Sequence, residues 1–358
     1  MGGITHATMW RKLGSPTDAP PPLRLLSCEF TAHASEEQVI TGSRTDNVEV
    51  RNRRADVAIE IDQQLKAAQD ALLVRYAPDT RVRRVRWSRG EIQVLELGAG
   101  PPLLLVHGGG NSTSEWAPIL SALARNHRVI AVDRPGHGLA DPFDYRGVDL
   151  LDHARTFFRD ILDTLELRAV DIVANSMGGL LSVVFAIDAP EHVSRLVLVG
   201  APAGVTRSVP RQLWMFGLPL IGQPLGRLFL SNPTRESIRK FWGEILVVHP
   251  ETLEDTLLDA NVAHMRRNNG SILSLLQCAI DVGGLRNRLI LGERWQALKV
   301  PTLFLWGERD AFTPPDVAEP IAEQNPNIRV IRIPDAGHLP WIDDSERVID
   351  EIEHFLAP

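Results

Sequence analysis

Ser176 stands in the stretch Val170–Gly179, VDIVANSMGG, where an apolar run meets Asn-Ser-Met and then two glycines. A serine on a tight strand-to-helix turn is thrust out above the edge of a sheet. Small residues two before and two after it, here Ala174 and Gly178, let the backbone turn that sharply. The helix N-terminus beneath offers unpaired N–H groups and a positive partial charge where an oxyanion would develop. The Met177 N–H is the first such donor. A second run, Leu103–Asn111 (LLLVHGGGN), ends a strand in His-Gly-Gly-Gly. Glycines there let backbone N–H groups approach a ligand closely, so the N–H of Gly109, or of Gly110, is the second donor. Two such turns at the ends of two strands of one sheet would face one crevice. The chemistry this predicts is attack by a serine on a carbonyl.

Serine is a poor nucleophile without an adjacent base. His338 lies in Asp335–Trp341 (DAGHLPW), on a loop after the last apolar strand, where functional side chains concentrate. Other histidines fit less well: His107 opens and braces the glycine loop, His137 sits in a turn, and His264 falls on a helical stretch. A base needs an acid to fix its tautomer. Asp310 lies in Trp306–Asp310 (WGERD), four residues past a strand end, with Glu308 a rival two residues earlier. Asp310 is favoured by its position on the loop. The loop after Val199 holds no carboxylate. The chain order Ser176, Asp310, His338 is that of α/β-hydrolases. No metal-ligand cluster stands out, and this chemistry needs no cofactor.

These loops need a sheet to carry them. Short apolar runs recur at Ile92–Leu97, Leu103–Val106, Val129–Val132, Val170–Val173, Leu196–Val199, Thr302–Trp306 and Val330–Ile333, with helix-like segments between them. The pattern predicts an α/β fold, a mostly parallel central sheet flanked by helices on both faces, with its crevice at the carboxyl ends of the strands. Residues 56–200 and 298–358 would form this core. Residues 201–297 break the alternation and read as an inserted helical cap. In it, Trp214, Met215, Phe216, Phe229, Phe241 and Trp242 either line an acyl pocket or form the cap's own core. Asn111 and Asn175 either contact substrate beside the oxyanion or brace turns. Residues 1–55 are polar and irregular and read as a leader or arm. Ile59–Arg75 has helical spacing.

Net charge is −7 over 358 residues, which argues against a nucleic-acid partner, since phosphate binding needs clustered basic surface. The basic stretch Arg81–Arg89 reads as a strand with a solvated arginine face. Two distant cysteines, Cys28 and Cys278, make no disulfide framework and read as free thiols. With no secretory signal and no apolar run long enough for a membrane span, a cytoplasmic address follows by default.

The set HGGG, DRPGHG, ANSMGG, WGERD and AGHLPW, in this order from Arg81 onward, resembles the α/β-hydrolase superfamily. The likeness implies a helical lid, matching residues 201–297. It is nearest to capped esterases and to hydrolases that cleave carbon–carbon bonds in ring-fission products. The second group usually carries Pro-Gly where this chain has Asn111-Ser112, and Trp where it has Leu339. Relatives with an aspartate nucleophile are disfavoured because position 176 is Ser. The expectation is hydrolysis of a small-molecule carboxylic ester through an acyl-enzyme. The alternatives are C–C hydrolysis of a vinylogous diketone and a non-catalytic receptor on the same fold.

Overall fold

The period-two alternation of the strands gives the sheet two apolar faces and hence two cores. Even-numbered residues such as Leu104, Ile130 and Ile172 fall in one buried cluster, with Phe157, Phe158 and Val184 of the helices above them. Leu103, Val129 and Val173 fall in the other, against Ile119, Leu120 and Val348. Fully burying one such side chain contributes roughly 1.5–3 kcal/mol.

The computed structural model describes residues 44–218 and 220–357, with side chains from residue 56 on. Val50–Pro358 form one compact unit. The chain runs α1 (Arg44–Tyr76), β1 (Arg81–Trp87), β2 (Gly90–Leu97), β3 (Pro102–Val106), α2 (Ala117–Leu123), β4 (Arg128–Val132), α3 (Leu150–Thr164), β5 (Val170–Ala174), α4 (Ser176–Asp188) and β6 (Val193–Val199). Four helices follow: α5 (Arg211–Gly217), α6 (Gly222–Leu230), α7 (Arg235–Ile245) and α8 (Asp255–Ala279). A small antiparallel pair, β7 (Ile280–Asp281) and β8 (Gly284–Leu285), closes that segment. The chain ends with β9 (Thr302–Gly307), α9 (Glu319–Gln324), β10 (Ile328–Ile333), α10 (Pro340–Asp343) and α11 (Ser345–Leu356).

Eight strands form one sheet in the order β1-β2-β4-β3-β5-β6-β9-β10. β1 and β2 are antiparallel to their neighbours, and all pairs from β4 to β10 are parallel. This is the α/β-hydrolase fold. From β3 the chain first runs toward β4 and then crosses back to β5 on the other side. The loops after β3 and β5 therefore diverge at a topological switch point, where such sheets open a crevice.

Several expectations need adjusting. The basic stretch is indeed a strand: along β1 only Val85 and Trp87 are buried, and Arg83 and Arg84 pair with Glu96 and Asp141. The helix expected from Ile59 starts at Arg44. Residues 44–55 contain neither Gly nor Pro, so nothing stops a helix there; their lack of an apolar stripe hid it. The rest of the expected leader, with Cys28, lies outside the described residues. The β7–β8 pair was not foreseen, since two-residue strands leave no alternation to read. Among the described residues, no helix is long and apolar enough to cross a membrane.

Candidate active site

β5 ends at Ala174, and α4 begins two residues later at Ser176. The turn between them holds Ser176 at φ +51°, a left-handed backbone that costs a non-glycine residue energy and persists only where its surroundings enforce it. Gly178 is required by packing: a Cβ there would lie 2.5 Å from the His107 carbonyl oxygen. Ala174 in place of a first glycine costs nothing visible, because it is an ordinary strand residue paired with Val106. Met177 and Gly178 lie in the first turn of α4, where an α-helix leaves N–H groups without partners.

His338 follows β10 and is buried. Its Nδ1 lies 2.8 Å from Asp310 Oδ2. The same Oδ2 accepts from the Ala201 N–H at 2.8 Å, and Oδ1 accepts from the Phe312 N–H at 2.9 Å. With both oxygens so engaged, the carboxylate is fixed against the ring. The Phe312 ring stacks on the imidazole with centroids 3.8 Å apart, which sets the ring plane. His338 Nε2 is buried without a hydrogen-bond partner among the described residues, so no hydrogen bond joins it to Ser176 in this structure. Glu308, the rival acid, is exposed.

Ser176, Met177, Gly109, Gly110 and His338 line one cavity. It holds about 210 Å³ and is open in part to solvent. Its far wall comes from α5–α8. Leu213 and Phe216 of α5, Phe241 and Ile245 of α7, and Met265 and Ile272 of α8 all line it. Phe229 lines it too. Trp214 does not, which corrects the expectation. It sits one residue past Leu213, about 100° around the helix, where its Nε1 donates to the Val282 carbonyl at 3.3 Å. For the same reason Trp242, next to Phe241, is fully buried in the core, and Met215 is also absent from the lining. Asn111 lines the cavity. Asn175 lines it too, but its Nδ2 donates to the carbonyls of Val199 and His338, so the amide braces the end of β6 against the loop after β10. Its Oδ1 is buried without a partner.

The glycine loop is held from behind by His107, as its place in the sequence suggested, and by three side chains whose bracing role spacing did not reveal. Arg134 Nη2 donates to the Gly108 carbonyl at 2.6 Å. His137 Nε2 lies 2.8 Å from the Gly109 carbonyl oxygen, and His264 Nε2 lies 3.1 Å from that of Gly110. In a trans peptide the C=O of one residue and the N–H of the next point in opposite directions. Fixing the Gly108 and Gly109 carbonyls against this cluster therefore turns the N–H groups of Gly109 and Gly110 away from it, free to face the cavity. His107 completes the brace: its Nδ1 meets the Gly108 carbonyl, and its Nε2 accepts from the Arg134 N–H.

The electrostatics of this cluster follow from its dryness. Burial holds His107 and His137 well below the usual imidazole range and lowers His264 to about 4. His107 and His264, each with one ring nitrogen accepting from a backbone N–H, are neutral near pH 7. Burial also pushes Glu115 up to about 8, and its Oε1 lies 3.4 Å from the Gly108 N–H. Arg134, buried and always charged, thus leaves a positive charge beneath the loop. His137 of DRPGHG was legible as a special turn. His264 was not, because its partner lies 154 residues away.

A family model described as the alpha/beta hydrolase fold matches residues 101–345. The chain is 30% identical over 268 residues to a 2-hydroxy-6-oxononadienedioate/2-hydroxy-6-oxononatrienedioate hydrolase of Paraburkholderia phymatum, covering 73% of this chain and 89% of that one. Among solved structures, it resembles the carboxylesterase CesB of Bacillus subtilis with a TM-score of 0.69 at 20% identity, over 83% of this chain and 99% of that chain. It also resembles a bacterial membrane phospholipase A, with a TM-score of 0.64 at 23% identity, over 87% and 96% of the two chains.

Proposed function

The chain belongs to the α/β-hydrolase family, and we propose that it hydrolyses carboxylic esters of apolar acids, with Ser176 as nucleophile, His338 as base and Asp310 as the acid that orients it. Residues 201–297 act as the cap that shapes the acyl site.

Asp310 holds the proton on His338 Nδ1 and leaves the Nε2 lone pair toward the cavity. Nε2 takes the Ser176 hydroxyl proton as Oγ attacks the ester carbonyl. The resulting oxyanion accepts from the N–H groups of Met177 and Gly109. A Cβ at Gly109 would lie 3.6 Å from Met177 Cβ, and this closeness of the two residues supports pairing their N–H groups as donors. Nε2–H then protonates the leaving alcohol, the C–O bond breaks, and an acyl-enzyme remains. A water, deprotonated by Nε2, attacks the acyl carbon, and Ser176 recovers its proton as the acid leaves.

The observation that carries the choice of substrate is the lining of the cavity. Among its described lining residues, none is Lys, Arg, Asp or Glu. The relative from Paraburkholderia phymatum is named for dienedioates, which carry two carboxylates. Burying an unpaired carboxylate is costly, and this cavity offers no side-chain cation to offset it. A neutral ester with an apolar acyl chain meets no such penalty. The second reading, C–C hydrolysis of a ring-fission dienone, rests on the identity to that relative.

The test is a series of p-nitrophenyl esters from acetate to laurate, given to the parent and to Ser176→Ala, with a ring-fission dienedioate as the competing substrate. Ester turnover is expected, reduced by about 10⁶-fold in the variant, as for loss of a serine nucleophile elsewhere. A folded parent that cleaves the dienedioate and no ester would replace this reading with the second.

A further inference from the structure

Helix α6 is packed inside out. Its buried residues are Gly222 and Gly226, one turn apart. A Cβ on Gly226 would collide with the Leu273 side chain of α8, and one on Gly222 with the Phe216 carbonyl. Glycine is what permits this close approach. Leu225 and Leu230 are half-buried, but the other large apolar side chains point the other way. Ile221 and Leu228, seven residues apart and so on one stripe, are 54% and 75% exposed. Phe229 is 61% exposed, and Leu220, just before the helix, 95%. A helix in a water-soluble domain ordinarily turns such a stripe inward; a contiguous exposed one marks an interaction surface.

Two further observations select its occupant. Phe229 is exposed and also lines the cavity, so the patch runs into the mouth of an uncharged apolar site. A protein seated there would block that mouth, whereas a lipid surface would feed it. In addition, the only charged residues from Pro210 to Leu230 are Arg211 and Arg227, both exposed, on a chain of net charge −7. Cations beside an apolar stripe complement the phosphates of lipid headgroups.

We propose that α6 and the turn before it dock on the surface of a phospholipid bilayer, with Leu220, Ile221 and Leu228 at the acyl boundary and Arg227 at the phosphates. The docking stands on the packing of α6 and not on the ester chemistry. Delivery of a bilayer-dissolved ester past Phe229 rests on the function proposed above.

The test is flotation of the full chain, as Ser176→Ala so that no lipid is consumed, with vesicles of phosphatidylcholine with and without phosphatidylglycerol. The protein is expected to float, more completely with the anionic lipid. Adding Ile221→Glu and Leu228→Glu should lower binding at least about ten-fold, since two apolar side chains no longer enter the boundary. The same pair, with Ser176 intact, should keep the parent's rate on p-nitrophenyl butyrate, which shows that it folds; Leu220→Glu serves as a second, milder variant outside the helix. Failure of the protein to float with either vesicle overturns the proposal, as does equal flotation of the variants. A parent dimer that the double variant splits into monomers, with no flotation, assigns the patch to self-association instead. Absence of ester turnover with flotation intact would sink the esterase reading alone.

Discussion

His264 Nε2, on helix α8, lies 3.1 Å from the carbonyl oxygen of Gly110 on the loop after β3. A residue from the segment between β6 and β9 thus helps set the peptide planes of the loop proposed to bind the oxyanion. Its Nδ1 accepts from the Gly138 N–H at 3.2 Å, so the ring links α8, the glycine loop and the turn after β4. That joint ties the α8 wall of the cavity to the loop proposed to bind the oxyanion.

His264→Ala should therefore lower kcat on short esters by about ten-fold and leave KM nearly unchanged. The loss is smaller than the 10²–10³-fold of deleting an oxyanion donor, because Arg134 and His137 still hold the loop. His264→Gln, whose amide nitrogen can reach the Gly110 carbonyl, should restore most of the rate. A KM effect without a kcat effect would show that His264 shapes the pocket and not the loop.

Asp310→Asn should cost about 10⁴-fold in kcat, because an amide no longer fixes the proton on His338 Nδ1. Glu308→Gln should change nothing, since Glu308 is exposed while both Asp310 oxygens are committed. Steady-state rates on one good ester decide between the two acids.

Phe216→Ala should shift the preference along the ester series toward longer or bulkier acyl groups, because Phe216 lines the cavity. Trp214→Ala should leave the preference where it was and lower thermal stability, as Trp214 packs against the core. If the tryptophan variant alone changes acyl selection, the assignment of the cavity wall is wrong.

Glu115 ties stability to pH. Its carboxyl titrates at about 8 when folded, against an ordinary 4.5. As pH rises from 4.5 to 8 the unfolded chain gives up this proton before the folded one does, so the parent loses stability over that window, by on the order of 1.4 kcal/mol per unit of displacement. Glu115→Gln removes that term, and thermal melts at pH 5 and pH 9 should show the gap moving in the variant's favour as pH rises. His264 acts in the opposite direction. Its folded value of about 4 lies below the ordinary 6.5, so its contribution is complete above pH 6.5 and is lost as pH falls toward 4.

The sequence by itself determined the fold class and the residues at the strand ends. Strand patterning, the strand-to-helix turn at Ser176 and the glycines after β3 are written in consecutive residues, because steric limits on tight turns act over two or three positions. Ser176, Asp310 and His338 were legible because each lies just past an apolar run, and a parallel sheet brings such ends to one edge. Tertiary structure alone decided matters that depend on residues far apart in the chain. The exposure of Glu308 against the burial of Asp310 needs the loop's packing. Trp214 and Trp242 face the core because helix rotation, which composition does not encode, turned their neighbours to the cavity. The bracing of three glycine carbonyls by Arg134, His137 and His264, and the outward stripe of α6, exist only once β4, α8 and the loop after β3 have met.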